Sequence, residues 1–419
     1  MIRGVFMPNR HLLHSPRRQY CLPAQHSDTT PPSTTHQAYT PVISKNKPAL
    51  DRANMSNGNR VTGEVQQQKR FLPSIATMSL GSSTLHPLDV KLKIAAAKGF
   101  LGVEMYWDDL VQYSVQFRPK PPSHAAHEAL AVLVAATDVA SLAARLGLKI
   151  LSLQPFRNFD GLTDPGLREK RLDEFRLWLA TARRLGADII GVPSTLPTVS
   201  AGDYTDNRHA IAADLAKLSR VAKAQGIRVA YENLCFAAHV RDWQQAWDKI
   251  ELAREPDGLL FLPDTFNICG RTYMDPEEAG GRTPNAEADL RASLSRLVDT
   301  VPVCRMPLLQ VADAELPDSP LTLDHPWRKE AGLVPLMALS RNARLFPFEE
   351  RGYLPVVSVI QALVGAGWEG WVSMEVFSRT TAVQGEETIW EHAERAWKSW
   401  EKLARVMGWP ARPRIDGGK

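Results

Sequence analysis

The residues of this sequence best suited to chemistry are three carboxylic acids and one amide, each at the end of a short apolar run. They are Glu232, Asp264, Gln310 and Glu375. A carboxylate inside an apolar segment is costly to bury unless a cation or partner compensates its charge. Oxygen-only ligands favour a hard divalent cation such as Mg²⁺ or Mn²⁺, and Co²⁺ or Zn²⁺ would also fit. The alternative for each acid is an ion pair with a nearby arginine, or capping of the next helix.

The charge of such a centre predicts what must stand opposite it. Three carboxylates and one divalent ion leave a net negative charge, so an anionic substrate would need additional cations. Arg157 and Arg344 are candidates, because arginine stays charged and binds carboxylates bidentately. Ser340 lies four residues before Arg344, so both could contact one carboxylate if that segment is helical. The alternatives are a solvated loop position for either arginine, or a surface ion pair of Arg344 with Glu349 or Glu350.

A general base is harder to assign from the sequence. His239 is the histidine that follows a ligand-bearing run, seven residues after Glu232. An imidazole titrates near neutral pH and can accept a proton from a substrate, so His239 is our candidate for the catalytic base. The alternative is a histidine on the surface or at the start of a helix.

These residues need elements that bring them together, and from residue 71 onward eight apolar runs alternate with amphipathic segments. The runs are SIATMSL from Ser74, GVEMYW from Gly102, KILSLQPF from Lys149, DIIGVPS from Asp188, RVAYENL from Arg228, LLFLPDTF from Leu259, PLLQVADAE from Pro307 and GWVSMEVF from Gly370. Several helical segments end in glycine, which suits the left-handed residue after a helix. These glycines are Gly99, Gly147, Gly186, Gly226 and Gly367.

Eight strands alternating with helices predict parallel pairing with right-handed crossovers, and therefore an α/β fold of the closed (β/α)₈ TIM-barrel type over residues 71–410. The C-terminal ends of barrel strands line the active site, so a barrel would bring the four ligand candidates to one end. The alternative is an open doubly wound sheet. It usually carries a glycine-rich phosphate loop, and no GxGxxG or GxxxxGK[ST] motif follows the first run.

The two ends of the chain differ from this pattern. Residues 1–70 are rich in Pro, Ser, Thr, Gln and Asn, and we expect them to form a disordered extension. The first sixty residues hold eight Arg or Lys and two Asp, a composition similar to a mitochondrial presequence, but the prolines interrupt any amphipathic helix. Met55 is an alternative start. Residues 411–419 are expected to be a tail.

Composition excludes several classes of protein. The net charge of +4 lies largely in the extension, and without a basic stripe we expect no nucleic-acid partner. Four cysteines without CxxC spacing favour a reducing compartment. No apolar run of membrane-spanning length and no secretory signal is present, so we expect no membrane partner. The sequence thus predicts a cytoplasmic enzyme with a small-molecule substrate, and a homo-oligomer is compatible with it.

Several motifs resemble those of the fungal 3-dehydroshikimate dehydratases of quinate catabolism, which belong to the xylose-isomerase-like barrel superfamily. They are SLQPFRNFDG, YENLCFAAHVRDWQQAWD, DTFNICGRTYMDP, GRTPNAE, QVADAE, SRNARLFP and GWVSMEVFSR, between about residues 72 and 408. The resemblance implies conversion of 3-dehydroshikimate to protocatechuate and water with a divalent metal. It also implies metal ligands at the four positions already chosen.

The same resemblance implies substrate contacts at Arg157, Ser340 and Arg344. One position departs from the bacterial relatives, which have a histidine three residues after the metal-binding aspartate. Asn267 stands there in this sequence. An amide is no base at neutral pH, so we expect Asn267 to contact the substrate and leave the base to another group.

Other functions fit the sequence less well. A sugar or sugar-phosphate isomerase or epimerase on the same barrel is the alternative, but its fourth ligand is usually histidine, and here that position is Gln310. A barrel without enzymatic activity would predict broken ligand positions. A multi-zinc endonuclease would need many more histidines at strand ends.

Overall fold

The computed structural model describes residues 71–118, 125–200, 202–329 and 333–413. In these ranges eight parallel strands form one curled sheet with helices between successive strands. The predicted xylose-isomerase-like (β/α)₈ TIM barrel is therefore confirmed. The expected disordered extension at residues 1–70, and the tail beyond residue 413, lie outside the described residues, so those domain limits stay predictions.

Ten strands are present in the described ranges, eight in the barrel and two in a short antiparallel pair. The barrel strands are β1 Phe71–Ala76, β2 Gly102–Tyr106, β3 Lys149–Gln154, β4 Ile189–Pro193, β5 Arg228–Glu232, β6 Leu259–Phe261, β7 Leu308–Val311 and β10 Gly370–Met374. The short pair consists of β8 Asp313–Ala314 and β9 Arg344–Leu345.

Twelve α-helices connect and cover the strands in the same ranges. They are α1 Leu88–Lys98, α2 Trp107–Ser114, α3 Ala125–Arg145, α4 Pro165–Leu185, α5 Arg208–Lys223, α6 Trp243–Ala253, α7 Thr265–Tyr273, α8 Ala286–Thr300, α9 Pro326–Lys329, α10 Pro335–Ala343, α11 Val356–Gly365 and α12 Glu387–Met407.

The sheet closes on itself beside the predicted ligands. Its strand order is β6-β5-β4-β3-β2-β1-β10-β7. A parallel bridge between Asp264 and Gln310 joins the two edge strands, and the backbone N–H of Gln310 donates to the carbonyl of Pro263 at 2.9 Å. Closure therefore brings two predicted ligands from opposite edges of the sheet side by side.

The alternation of side chains along the strands places three of the four predicted ligands inside the barrel. Successive residues of a strand face opposite sides, so residues two apart share a face. Ala230, Leu262 and Leu308 each lie two positions before a predicted ligand, and all three belong to a small buried apolar cluster separate from the main core. The barrel interior is thus apolar along the strands and polar at their C-terminal ends.

Local sequence signals match the structure at several helix ends. Asp164 caps α4 by accepting from the N–H groups of Gly166 and Leu167. All five predicted glycines have positive φ, the conformation in which glycine is least strained. The first strand begins three residues earlier than its apolar run predicts, because Phe71, Leu72 and Pro73 pair with β10.

One helix in the described part of the chain is long and apolar enough, by length and composition, to cross a membrane. It spans Ala126–Arg145 and has a hydropathy of 1.4. In the structure it packs on α2 and α4.

Candidate metal centre and active site

Glu232, Asp264 and Glu375 form a buried group whose ligand atoms all lie within 4.8 Å of one another. Burial, and then the charges of Glu375 and Asp264, raise the pKa of Glu232 well above its ordinary value. Burial likewise raises the pKa of Glu375 to about 8. Three acids held this close repel one another when ionised, so the arrangement needs positive charge.

Gln310 supplies an amide beside this triad. Its Nε2 donates to Oε1 of Glu104 at 3.2 Å and to Oε1 of Glu375 at 3.1 Å. Its Oε1 is buried and has no hydrogen-bond partner among the described residues. A buried polar atom without a partner is rare and calls for a ligand. Three carboxylates with one unpaired amide oxygen fit a hard divalent cation.

Arg344 already brings one positive charge to the triad. Its Nη1 donates to Oδ2 of Asp264 at 2.8 Å and to Oε2 of Glu375 at 3.3 Å. Its Nε donates to Oγ of Ser340 at 3.2 Å, so the two residues four apart do meet. Asp264 also caps α7, since its Oδ1 accepts from the N–H of Phe266 at 2.9 Å. Asp264 therefore makes both contacts that were considered as alternatives to metal binding, an ion pair with an arginine and a cap of the next helix.

The surface ion pair considered for Arg344 does not form. Arg344 is 1% exposed, and its guanidinium carbon lies 4.4 Å from the ring centre of Phe266. Glu349 pairs instead with Arg395, with Nε and Oε1 2.6 Å apart. Arg344 is the first residue of β9, which pairs with β8 just after the end of β7. This pairing directs its side chain toward the predicted metal ligands.

Asn267 holds two of the carboxylates together. Its Nδ2 donates to Oε1 of Glu232 at 2.7 Å and to Oδ2 of Asp264 at 2.7 Å. Its Oδ1 accepts from the N–H of Cys235 at 3.0 Å. All hydrogen-bonding atoms of the amide thus contact protein groups, and the expected contact with substrate stays a prediction.

Arg157 lies in the loop after β3 and is only half-buried. Its guanidinium donates to the hydroxyl of Tyr106 and lies 5.5 Å from that ring. Although burial opposes its charge, Tyr106, Asp108 and Glu375 raise the pKa of Arg157. It therefore stays cationic within electrostatic range of the triad.

A buried carboxylate anchors the loop that carries Arg157. Asp160 accepts from Oγ1 of Thr195 at 2.6 Å and from the hydroxyl of Tyr231 at 2.7 Å. Burial raises the pKa of Asp160 to about 6. The loop is thereby fixed to the C-terminal ends of β4 and β5, the latter ending at Glu232.

Comparison with known proteins decides the family. The family model described as xylose isomerase-like TIM barrel matches residues 92–400. The chain belongs to this family. Among curated relatives, the 3-dehydroshikimate dehydratase of Neurospora crassa is 38% identical over 344 residues, which is 80% of this chain and 94% of that protein. The resemblance predicted from the motifs is confirmed.

A second relative and two solved structures extend the comparison. The 3-dehydroshikimate dehydratase of Pseudomonas aeruginosa is 30% identical over 77% of this chain, which spans 43% of that protein. A xylose isomerase-like TIM barrel/4-hydroxyphenylpyruvate dioxygenase fusion protein has a TM-score of 0.58 at 23% identity, over 83% of this chain and 45% of the fusion. The IOLI protein with a binding zinc atom has a TM-score of 0.57 at 16% identity, over 80% and 98% of the two chains. These two structures support the barrel fold.

Within this family barrel, His239 lies apart from the triad. It is half-buried and lines a polar groove of about 400 Å³ together with Asp206, Arg241 and Lys249, among others. None of the triad acids lines that groove. Its role as the base stays a prediction.

Two buried residues of the site were not predicted from the sequence. Glu104, in the middle of β2, accepts from Oγ of Ser152 at 2.9 Å as well as from Gln310, and burial raises its pKa. Gln154, at the end of β3, donates from Nε2 to Oε1 of Glu375 at 2.9 Å. Glu104 could have been found, because it is a carboxylate inside the apolar run GVEMYW and meets the same criterion as the chosen acids.

Proposed function

We propose that this chain dehydrates 3-dehydroshikimate to protocatechuate and water, with a divalent metal, as a cytoplasmic step of quinate catabolism. The observation that carries the proposal is the 38% identity to the Neurospora crassa protein of that name, of which the chain covers 94%. A buried centre of oxygen ligands agrees with it.

The proposed reaction needs a base, a stabilised enolate and no redox partner. The substrate is a cyclic β-hydroxy ketone that carries a carboxylate. A base takes the proton from the carbon next to the ketone, and the C–O bond at the β carbon breaks. The hydroxyl leaves as water, and the remaining ring enolises to the aromatic diol. Carbon is neither oxidised nor reduced overall, so no electron carrier takes part.

The residues divide this work between charge stabilisation and positioning. A divalent ion held by Glu232, Asp264, Gln310 and Glu375 would act as a Lewis acid toward the negative charge developing on the ketone oxygen. Mg²⁺, Mn²⁺ and Co²⁺ are the proposed ions. Asn267 keeps two of these carboxylates converged, and this supporting contact fixes the ligand geometry.

Substrate binding requires cations, because the centre and the substrate are both negative. Arg157 is the accessible candidate, and Arg344 with Ser340 is the buried one. His239 remains the proposed base.

The test is a direct assay of the purified chain. After exhaustive chelation, 3-dehydroshikimate is added with or without Mg²⁺, Mn²⁺ or Co²⁺, and the ultraviolet absorbance of the aromatic product is followed. We expect turnover only with added metal. Glu375→Gln should lose most of it, because one of three anionic ligands is gone. Full activity of verified metal-free protein would disprove the metal requirement. No product under any condition, together with isomerisation of a sugar or sugar phosphate, would favour the alternative.

A further inference from the structure

The amide of Gln310 has different surroundings at its two ends. Nε2 lies 3.2 and 3.3 Å from the two carboxyl oxygens of Glu104, and 3.1 Å from Oε1 of Glu375. Oε1 has no partner among the described residues. An ionised carboxylate only accepts hydrogen bonds, so a half-turn of this amide would set its oxygen against other acceptor oxygens. The surroundings therefore select one of the two amide orientations.

We propose that Glu104 is a positioning residue that holds Gln310 with Oε1 available to the metal. The inference rests on the metal centre of the proposed function. Glu104 is fully buried, yet it lies outside the triad whose ligand atoms lie within 4.8 Å of one another. Its hydrogen-bond contact with the proposed ligands is the one to Gln310.

Glu375 cannot set the amide orientation equally well. Its Oε1 already accepts from Nε2 of Gln154 at 2.9 Å, and its Oε2 faces Arg344 at 3.3 Å. Glu104 instead offers both oxygens to Gln310, and its Oε2 is also fixed by Oγ of Ser152 at 2.9 Å. The Gln310 amide is thus one of the side chains that donate hydrogen bonds to the buried Glu104 carboxyl group.

The alternative is that Glu104 only stabilises the packing of β2 against β3 through Ser152. The two roles differ in what they do to metal binding. If Glu104 orients a ligand, its loss should weaken the metal by about ten- to a hundredfold, as loss of groups that orient ligands commonly does. If it only joins the strands, metal binding should hardly change.

The probe is Co²⁺ added to the chelated full-length protein, because its visible absorption reports the number and kind of ligands. Glu104→Leu should bind Co²⁺ about ten- to a hundredfold more weakly by calorimetry and show an altered spectrum. Ser152→Ala is the matched control. It removes a hydrogen bond to Glu104 but keeps both acceptor oxygens, so Co²⁺ affinity should stay within about threefold. Wild-type affinity and spectrum in folded Glu104→Leu would overturn the proposal.

An exchange of the two groups provides a second test if Glu104→Leu does not fold. Gln310→Glu alone places a carboxylate against those of Glu104 and Glu375, and should bind Co²⁺ poorly. Combined with Glu104→Gln, an amide again donates to a carboxylate with the roles reversed. The double variant should therefore recover at least about tenfold of the lost Co²⁺ affinity, which corresponds to about 1.4 kcal/mol. A double variant no better than Gln310→Glu would contradict the positioning role.

The wild-type preparation separates this inference from the proposed function. If the wild-type protein binds Co²⁺ but produces no protocatechuate, the proposed reaction is wrong, and Co²⁺ binding still tests the role of Glu104. If it does both while the Glu104 variants bind Co²⁺ normally, only the positioning role fails. A wild type that binds no Co²⁺ would overturn both.

Discussion

Arg344 and Asp264 form a fully buried ion pair, with Nη1 and Oδ2 2.8 Å apart and side chains 2% and 0% exposed. The same guanidinium reaches Glu375. Asp264 and Glu375 are also members of the triad proposed to hold the metal. A metal ion bound by the triad would therefore share two carboxylates with the arginine, and the charge on one should alter the binding of the other.

The first prediction follows for Arg344→Ala. Breaking a buried pair leaves an uncompensated charge and costs about 3–5 kcal/mol. We expect the metal-free variant to lose free energy of unfolding by about this amount, measured with urea after chelation. Added Mn²⁺ should stabilise the variant more than the wild type, because it replaces the missing positive charge.

Arg344→Lys is the control for this prediction. It keeps the charge but not the planar fork that reaches two carboxylates, so it should recover part of the stability. If Mn²⁺ raises the stability of Arg344→Ala and wild type equally, the arginine and the metal do not share these ligands.

The second prediction concerns pH and the loop that carries Arg157. Burial raises the pKa of Asp160 to about 6 in the folded protein, above roughly 3.9 for an unfolded aspartate. The folded state thus holds the proton more tightly. The stabilisation this gives is complete below about pH 4 and is lost as the pH rises through about 6, and such a shift corresponds to roughly 3 kcal/mol.

Asp160→Asn removes this titration and keeps the shape of the side chain. Relative to Asp160→Asn, the wild type should lose roughly 3 kcal/mol of its free energy of unfolding between pH 4 and pH 8. Urea unfolding of both proteins across this range measures it. A difference that stays constant with pH would show that Asp160 titrates normally.

The sequence could predict what local rules determine. The position of a carboxylate at the end of an apolar run, and the cost of burying it, were enough to choose Glu232, Asp264 and Glu375, whose ligand atoms the fold brings within 4.8 Å of one another. The Glu104–Gln310 contact joins residues 206 positions apart, so no local pattern shows it. The sequence could not predict which way the Arg344 side chain points either, because that depends on how β9 pairs with β8.

The third prediction tests His239 as the base. If it accepts the substrate proton, His239→Ala should lower kcat by at least about a hundredfold. His209, exposed near the start of α5, is the matched control, and His209→Ala should leave kcat unchanged. A loss below about threefold for His239→Ala would reject the assignment, and a ligand carboxylate or a metal-bound water would be tested next.

The last prediction concerns the carboxylate of the substrate. Arg344 is buried and already faces two carboxylates. Arg157 is half-buried and has the neutral hydroxyl of Tyr106 as its hydrogen-bond acceptor. Desolvation, and then the charge of Arg157, lower the pKa of Arg341, so the two guanidinium groups lie within electrostatic range of each other. A half-buried guanidinium whose hydrogen-bond acceptor is a neutral hydroxyl can exchange that acceptor for an anion, and we expect the substrate carboxylate to bind at Arg157.

Protocatechuate and catechol separate this contact from general binding, because they share a ring diol and only the former carries a carboxylate. We expect Arg157→Ala to reduce the preference for protocatechuate as a competitive inhibitor by about thirty- to a thousandfold, the loss of a charge-assisted contact worth roughly 2–4 kcal/mol. Binding of catechol should hardly change, and Arg157→Lys should recover part of the preference, because an ammonium lacks the planar fork. If Arg157→Ala keeps the full preference while Arg344→Ala loses it, the carboxylate binds at Ser340 and Arg344.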